Sequence, residues 1–438
     1  MKKISRRAGF ALIIAAALIL GLALYSVRLF NDGDDWVMLR ANQSVFKDGV
    51  LDTGMVTDRN GVVLARAGNG VFAYADDASV RIACLHAVGD YAGNFGTGAL
   101  SAFDDELAHY NFFDGVATLS DGGGTVRLSI DSALNVAALN ALAGRRGAVL
   151  VSNYETGEIL CMVSTPAYDP NSPPELEQPA YEGVYLNRAL NATYAPGSVF
   201  KLVTLAAAIE NVPDIYTRSF ECQGSVRVGG DTVNCTGVHG AQTIEQALAN
   251  SCNCAFSELS QELGADTLEK YAKQLGFLDS LDISGIETAA GSFEKAEAGT
   301  SDLSWSGIGQ YNDLVAPIAV LRYVSAVAAG GTVKEPVLIK DRKGNETKLL
   351  EYSTAAKIGE MMSYNVSYSY GTWRFPELDM HAKSGTAELG DGSSHAWFAG
   401  YIDDDEHPLA FTVIIERGGG GLANAAPLAN TVLQAAIK

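Results

Sequence analysis

Three S-x-x-K tetrapeptides, two S-x-N tripeptides and one K-[ST]-G place hydroxyls, amides and amines at spacings that acyl-transfer chemistry uses. The tetrapeptides begin at Ser44, Ser198 and Ser292. About one is expected by chance in a chain of this length, so the surroundings must choose among them. Ser44 is followed closely by Asp48-Gly49, and Ser292 lies in a charged stretch. Ser198 instead opens an apolar helical run behind Pro196-Gly197, which punctuates a helix start. Residues i and i+3 share a helix face, so the Lys201 amine is predicted within reach of the Ser198 hydroxyl. Serine is a poor nucleophile until a neighbour takes its proton. Lysine does so when burial and a second cation depress its pKa. The helix N-terminus turns backbone N–H groups toward developing negative charge. Alone, the tetrapeptide fits an ordinary N-cap with a solvated lysine equally well.

The other motifs change that balance. Ser251-Cys252-Asn253 follows the helical run Ile244 to Leu248 and precedes apolar Ala255-Phe256, so it belongs to a packed region. Its hydroxyl can relay a proton and its amide can hold a substrate amide. The second copy, Ser363 to Asn365, sits in a Ser- and Tyr-rich run that reads as a loop. Lys383-Ser384-Gly385-Thr386 begins an apolar strand. Glycine in an edge strand lets a ligand backbone come close, and a lysine with two hydroxyls makes a carboxylate-binding strip. The chain order Ser198, Ser251, Lys383 supplies nucleophile, relay and anion site.

These motifs need a scaffold. Gly147 to Asn153 and Glu158 to Val163 are apolar runs joined at Glu155-Thr156-Gly157. Ala382 to Leu389, Ala396 to Ile402 and Leu409 to Ile415 are strands near the other end, before a final helix, Leu422 to Ala436. Between them lie mainly helices, Leu202 to Ile209 among them. This pattern predicts an α+β domain over 125–438, an antiparallel sheet flanked by helices and closed by distant parts of the chain. Ahead of it, 29–124 reads as a small mixed α/β unit, with the hairpin turn Asp58-Arg59-Asn60-Gly61 and a boundary at the breaker cluster 120–124.

Residues 8–28 are almost wholly apolar and long enough to span a bilayer. Lys2, Lys3, Arg6 and Arg7 precede them, which predicts a short cytoplasmic tail over 1–7 and the bulk outside, in a single-pass protein. No small-residue cleavage site follows, which favours an uncleaved anchor over a signal peptide. The net charge of -20 argues against a nucleic-acid partner. Six cysteines are too few for a disulfide-built scaffold. Cys222, Cys235, His239 and Cys252 form a possible zinc set that would brace the S-x-N from behind. A Cys222–Cys235 disulfide and free thiols are the alternatives.

In this order, S-x-x-K, S-x-N and K-[ST]-G resemble the serine penicillin-recognising enzymes. Several longer stretches resemble class B penicillin-binding proteins in particular, with a compact pedestal. They are Asn187-Arg188-Ala189 leading to Ala195-Pro196-Gly197-Ser198-Val199-Phe200-Lys201, and Pro166 to Asn171. His239-Gly240, His395 to Gly400 and Asp58 to Gly61 complete them. The resemblance implies a β-lactamase/transpeptidase-like fold and a peptidoglycan D,D-transpeptidase that needs no cofactor for catalysis. Ser198 would attack stem peptides ending in D-Ala-D-Ala, with Lys201 as base. Ser251 and Lys383 would pass the proton to the leaving amine. Asn253 would hold the donor amide, while Ser384, Gly385 and Thr386 would line its carboxylate site. β-Lactams would acylate Ser198, and a SEDS-family glycan polymerase would be the partner. A β-lactamase, a D,D-carboxypeptidase and a non-catalytic wall scaffold or sensor are the competing functions.

Overall fold

A computed structural model describes the chain apart from residues 1, 38–45, 48–49, 52–53, 69–70, 109, 112–114, 117–123 and 176. Ser44 and most of the 120–124 cluster therefore lie outside the described residues.

Helix α1, Lys2–Val37, overruns the 8–28 stretch at both ends, where no proline interrupts it. Within it, Ile4–Gly33 is a 30-residue candidate span that holds an 18-residue window with a mean hydropathy of 2.6. At 1.5 Å per residue the span covers about 45 Å, enough to cross a bilayer with tilt.

Four strands make the first sheet: β1 (Met55–Thr57), β2 (Val63–Gly68), β3 (Val71–Tyr74) and β4 (Thr125–Arg127). Their order is β3-β2-β1-β4, with β4 parallel to β1. A boundary at 124/125 thus cuts through a sheet, since β1 has backbone groups to satisfy on both edges and β4 supplies the partner. The Asp58 turn does more than reverse the chain. Its buried carboxylate accepts from Asn60 N (2.8 Å) and Val62 N (2.9 Å), and from Ser132 N (3.2 Å) and Ser132 Oγ (2.7 Å). Ser132 opens helix α2, Ser132–Leu142, so Asp58 ties the small sheet to the larger unit. Asp58→Ala strands those donors and is expected to cost about 3 kcal/mol, read as a lower thermal midpoint of the full chain in detergent.

The main sheet comprises β5 (Gly147–Asn153), β6 (Ile159–Thr165), β7 (Met380–Glu388), β8 (Ser394–Ile402) and β9 (Leu409–Ile415). Its order is β6-β5-β9-β8-β7, antiparallel throughout, and β5 pairs with β9 from the far end of the chain. The middle of the chain supplies α3 (Lys201–Asn211), α4 (Ile244–Ala249), α5 (Asn253–Gln274) and α6 (Pro317–Ala328), and α7 (Ala426–Ala436) ends it. Alternation along β5 explains why both faces are covered. Val149 and Val151 pack with Leu134 and Leu142 of α2 and Leu428 and Leu433 of α7. Ala148 and Leu150 point the other way, into the core that holds Ile318, Leu321 and Val324 of α6. Edge strand β7 pairs with no further strand on its outer side among the described residues.

The Ser- and Tyr-rich run at 363–370 is not a loop. Helix Tyr352–Tyr364 passes directly into a wide turn, Asn365–Tyr370. Asn365 and Tyr370 turn inward there while Ser367, Tyr368 and Ser369 stay exposed: Asn365 is buried and donates to Ala382 O of β7 at 2.9 Å. That S-x-N copy braces the sheet.

Candidate active site

Ser198 lies in a single 3-10 turn, Gly197–Val199, immediately ahead of α3. Two glycines let this turn touch β7. Gly197 has φ +54, and a Cβ there would lie 2.7 Å from Thr386 O. A Cβ on Gly385 would sit 3.0 Å from Pro196 O and from Val199 Cγ2. Gly385 is buried, so its bareness admits the serine turn. The ligand-approach role expected of it gives way to this packing role.

Behind the turn Lys201 is fully buried. Its Nζ donates to Ser251 O (2.6 Å), Ser251 Oγ (3.2 Å) and Asn253 Oδ1 (2.7 Å). Lys383, also fully buried, reaches the same Ser251 Oγ from β7 at 3.1 Å and donates to Ser384 O at 2.9 Å. One hydroxyl is therefore shared by two amines. Ser251 has φ 51, a left-handed conformation that is uncommon outside glycine and is held by those partners. Burial pushes the Lys201 pKa down to about 8. Burial, and then the neighbouring Lys201 charge, push Lys383 well below the usual lysine range. Ser198 Oγ has no hydrogen-bond partner among the described residues and is half-buried, facing the cleft.

The cleft holds about 900 Å³ and is lined by Ser198, Ser251, Asn253, Ser384 and Thr386. Asn253 does more than face a ligand. Its Oδ1 orients Lys201, and its Nδ2 donates to Asn234 O at 2.8 Å, leaving one amide proton for the cleft. Residues that carried no motif also matter. Tyr370 Oη accepts from Ser384 N (3.0 Å) and Ser384 Oγ (3.1 Å), and Gln310 Nε2 donates to Thr386 O (2.9 Å). Tyr370 lies in the run whose composition reads as a loop, and nothing local marks Gln310. His395 stands aside: its Nδ1 accepts from Arg417 N at 3.2 Å, and it does not line the cleft. The third S-x-x-K separates too, with Lys295 on the surface bonded to Asp266 and Glu269.

Cys222, Cys235, His239 and Cys252 meet behind the S-x-N, their ligand atoms within 4.8 Å of one another. No disulfide joins any of the six cysteines, all of which are among the described residues. Cys235 Sγ is 3.8 Å from Cys252 Sγ and 3.6 Å from His239 Nδ1. Tetrahedral zinc with Zn–S near 2.3 Å separates its donors by roughly 3.5 to 3.8 Å, so these spacings suit it. The hydrogen bond from Cys252 and the backbone N–H of Asn253 pull the Cys235 thiol down. That N–H lies 3.2 Å from Cys235 Sγ, which couples the cluster to the S-x-N loop.

Residues 147–434 match the model of the penicillin-binding protein transpeptidase domain, which spans the sheet, the serine turn and both lysines. The chain belongs to this family. It stands among the class B penicillin-binding proteins, as the motifs implied. Peptidoglycan D,D-transpeptidase PbpA of Mycobacterium tuberculosis is 28% identical over 366 residues, covering 72% of this chain and 73% of that protein. The solved D,D-transpeptidase domain of a peptidoglycan glycosyltransferase from Eggerthella lenta superposes with a TM-score of 0.76 at 26% identity, covering 88% of this chain and 98% of that one. Penicillin-binding protein A from M. tuberculosis, as its penicillin G acyl-enzyme complex, gives 0.72 at 25% identity, covering 88% and 100%.

Proposed function

We propose that this protein is a membrane-anchored peptidoglycan D,D-transpeptidase acylated by β-lactams at Ser198. The observation that carries this reading is the Ser251 hydroxyl, bonded by both buried lysine amines beside a serine that opens onto the cleft. Ser198 Oγ attacks the carbonyl of the penultimate D-alanine, and Lys201, neutral as base, takes its proton. The backbone N–H groups of Ser198 and Thr386 stabilise the oxyanion. The proton moves from Lys201 through Ser251 and Lys383 to the leaving nitrogen, and D-alanine departs with its carboxylate at Ser384 and Thr386. Asn253 holds the donor amide with its spare proton. A neighbouring stem's amine then attacks the ester and returns the proton through the same relay, freeing Ser198.

The tail at 1–7 lies in the cytoplasm and the catalytic domain outside, a reading supported by Lys2, Lys3, Arg6 and Arg7 ahead of the span. The family resemblance supports a SEDS-family polymerase as the enzyme that makes the glycan. The test of the activity is mass spectrometry after treatment with a fluorescent penicillin. A long-lived adduct on Ser198 is expected; rapid turnover of the drug would identify a β-lactamase instead.

Zinc at Cys222, Cys235, His239 and Cys252 would brace Asn253 and Ser251 without entering the reaction. Elemental analysis of the purified protein is expected to give one zinc per chain. Stripping it with a chelator should lower the thermal midpoint by roughly 5 °C or more. Metal-free protein with fully titratable thiols would remove the site.

A further inference from the structure

Glu388 is the one carboxylate among the described residues that line the cleft, and no lysine, arginine or histidine lines it. Its carboxylate is exposed and makes neither hydrogen bond nor ion pair among the described residues. The arginine on the loop after β9, Arg417, is taken by Asp391. Alternation along β7 puts Ser384, Thr386 and Glu388 on one face, with about 6.8 Å between successive members. The strand thus presents two hydroxyls to an anion and, one step on, an anion of its own.

Resting on the transpeptidase reading, the direction of the donor follows. Its terminal carboxylate lies at Ser384 and Thr386, and its reactive carbonyl at the N–H groups of Ser198 and Thr386. The residue before D-Ala-D-Ala therefore runs on toward Glu388. Every stem that serves as acceptor carries an amine, and donor and acceptor are stems of one polymer. The donor consequently carries the same amine near this position. An attacking acceptor amine fits Glu388 poorly. It must be neutral, and it enters where the leaving nitrogen departed, beside Ser251 and Lys383 at the other end of the motif. A carboxylate stabilises the ammonium form, which is no nucleophile.

We propose that Glu388 is a specificity-determining residue that receives the ammonium of the donor stem's own diamino residue. Donors with a free cationic side chain ahead of D-Ala-D-Ala are then preferred over those in which that charge is blocked.

The test uses the full chain in detergent with two donors, Nα-acetyl-L-lysyl-D-alanyl-D-alanine and its Nα,Nε-diacetyl counterpart. Release of D-alanine is measured, as is protection of Ser198 from a fluorescent penicillin. The wild-type ratio of kcat/KM is expected to favour the free ammonium by about fivefold, the size of a partly exposed ion pair. Glu388→Gln should bring that ratio to about one, since only the charge difference is removed. Glu388→Lys should reverse it, and an Nε-succinyl lysyl donor added as a third substrate should then be the preferred one. Equal processing of both donors by the wild type, or an unchanged ratio in Glu388→Gln, would overturn the inference and leave the transpeptidase reading standing. Failure of both donors to release D-alanine and to protect Ser198 would overturn both.

Discussion

Ser198→Ala is expected to abolish covalent labelling by penicillin and to lower D-alanine release by about 10⁴-fold or more, the scale seen when an acyl-transfer nucleophile is removed. The same substitution should leave folding almost untouched. Ser198 Oγ has no hydrogen-bond partner among the described residues, so truncation strands no group and opens no cavity. The measurement pairs labelling with a thermal melt. Lost labelling with an unchanged midpoint is the expected combination. Residual labelling at wild-type rate would move the nucleophile to another side chain. A non-catalytic wall scaffold would keep its cellular role in this variant, and a transpeptidase would lose it.

Lys201→Met should lower acylation by about 10³-fold, in the range typical of a lost general base. Methionine is the informative choice because it nearly fills the site, whereas alanine would leave a cavity beneath the serine turn. Some loss of stability accompanies it, since Ser251 O and Asn253 Oδ1 lose their donor. The pH profile separates the two effects. Burial holds the wild-type Lys201 pKa at about 8, and the base acts in its neutral form. Acylation should therefore rise about tenfold per pH unit below that value and level off above it, as the amine loses its proton. Lys383 shares Ser251 Oγ and is itself pushed down, so the two amines titrate as a pair with apparent values. Lys201→Met should be slow at every pH, with the rise near pH 8 gone. Stopped-flow acylation by a chromogenic cephalosporin between pH 6 and 10 reads both. A slope retained in the variant would assign the base to another group.

Much of this molecule was open to inspection as a string of residues. Turn chemistry at Glu155-Thr156-Gly157 and the apolar runs beside it located β5 and β6. Leu409 to Ile415 coincides with β9. Leu202 to Ile209 falls within α3. These elements are legible because their signals are local: side-chain periodicity, capping residues and glycines needed at tight turns. The three motifs of the candidate site were legible for a different reason. Each pairs a rare combination of residue types with a neighbourhood that suits it, and their order excludes most chance matches.

What the chain alone left open concerns contacts between residues far apart in sequence. The amino acids by themselves determined that an apolar span precedes an α+β body and that a serine, a relay serine and two lysines are available. Tertiary structure decided that both amines bond one hydroxyl, since that depends on β7 docking beside a loop 132 residues upstream. It decided that Gly385 admits a backbone turn, that Tyr370 and Gln310 hold β7 in place, and that Thr125–Arg127 belongs to the first sheet. Burial and long-range pairing depend on the whole surrounding shell. No window of sequence contains that shell, so it has no local signature.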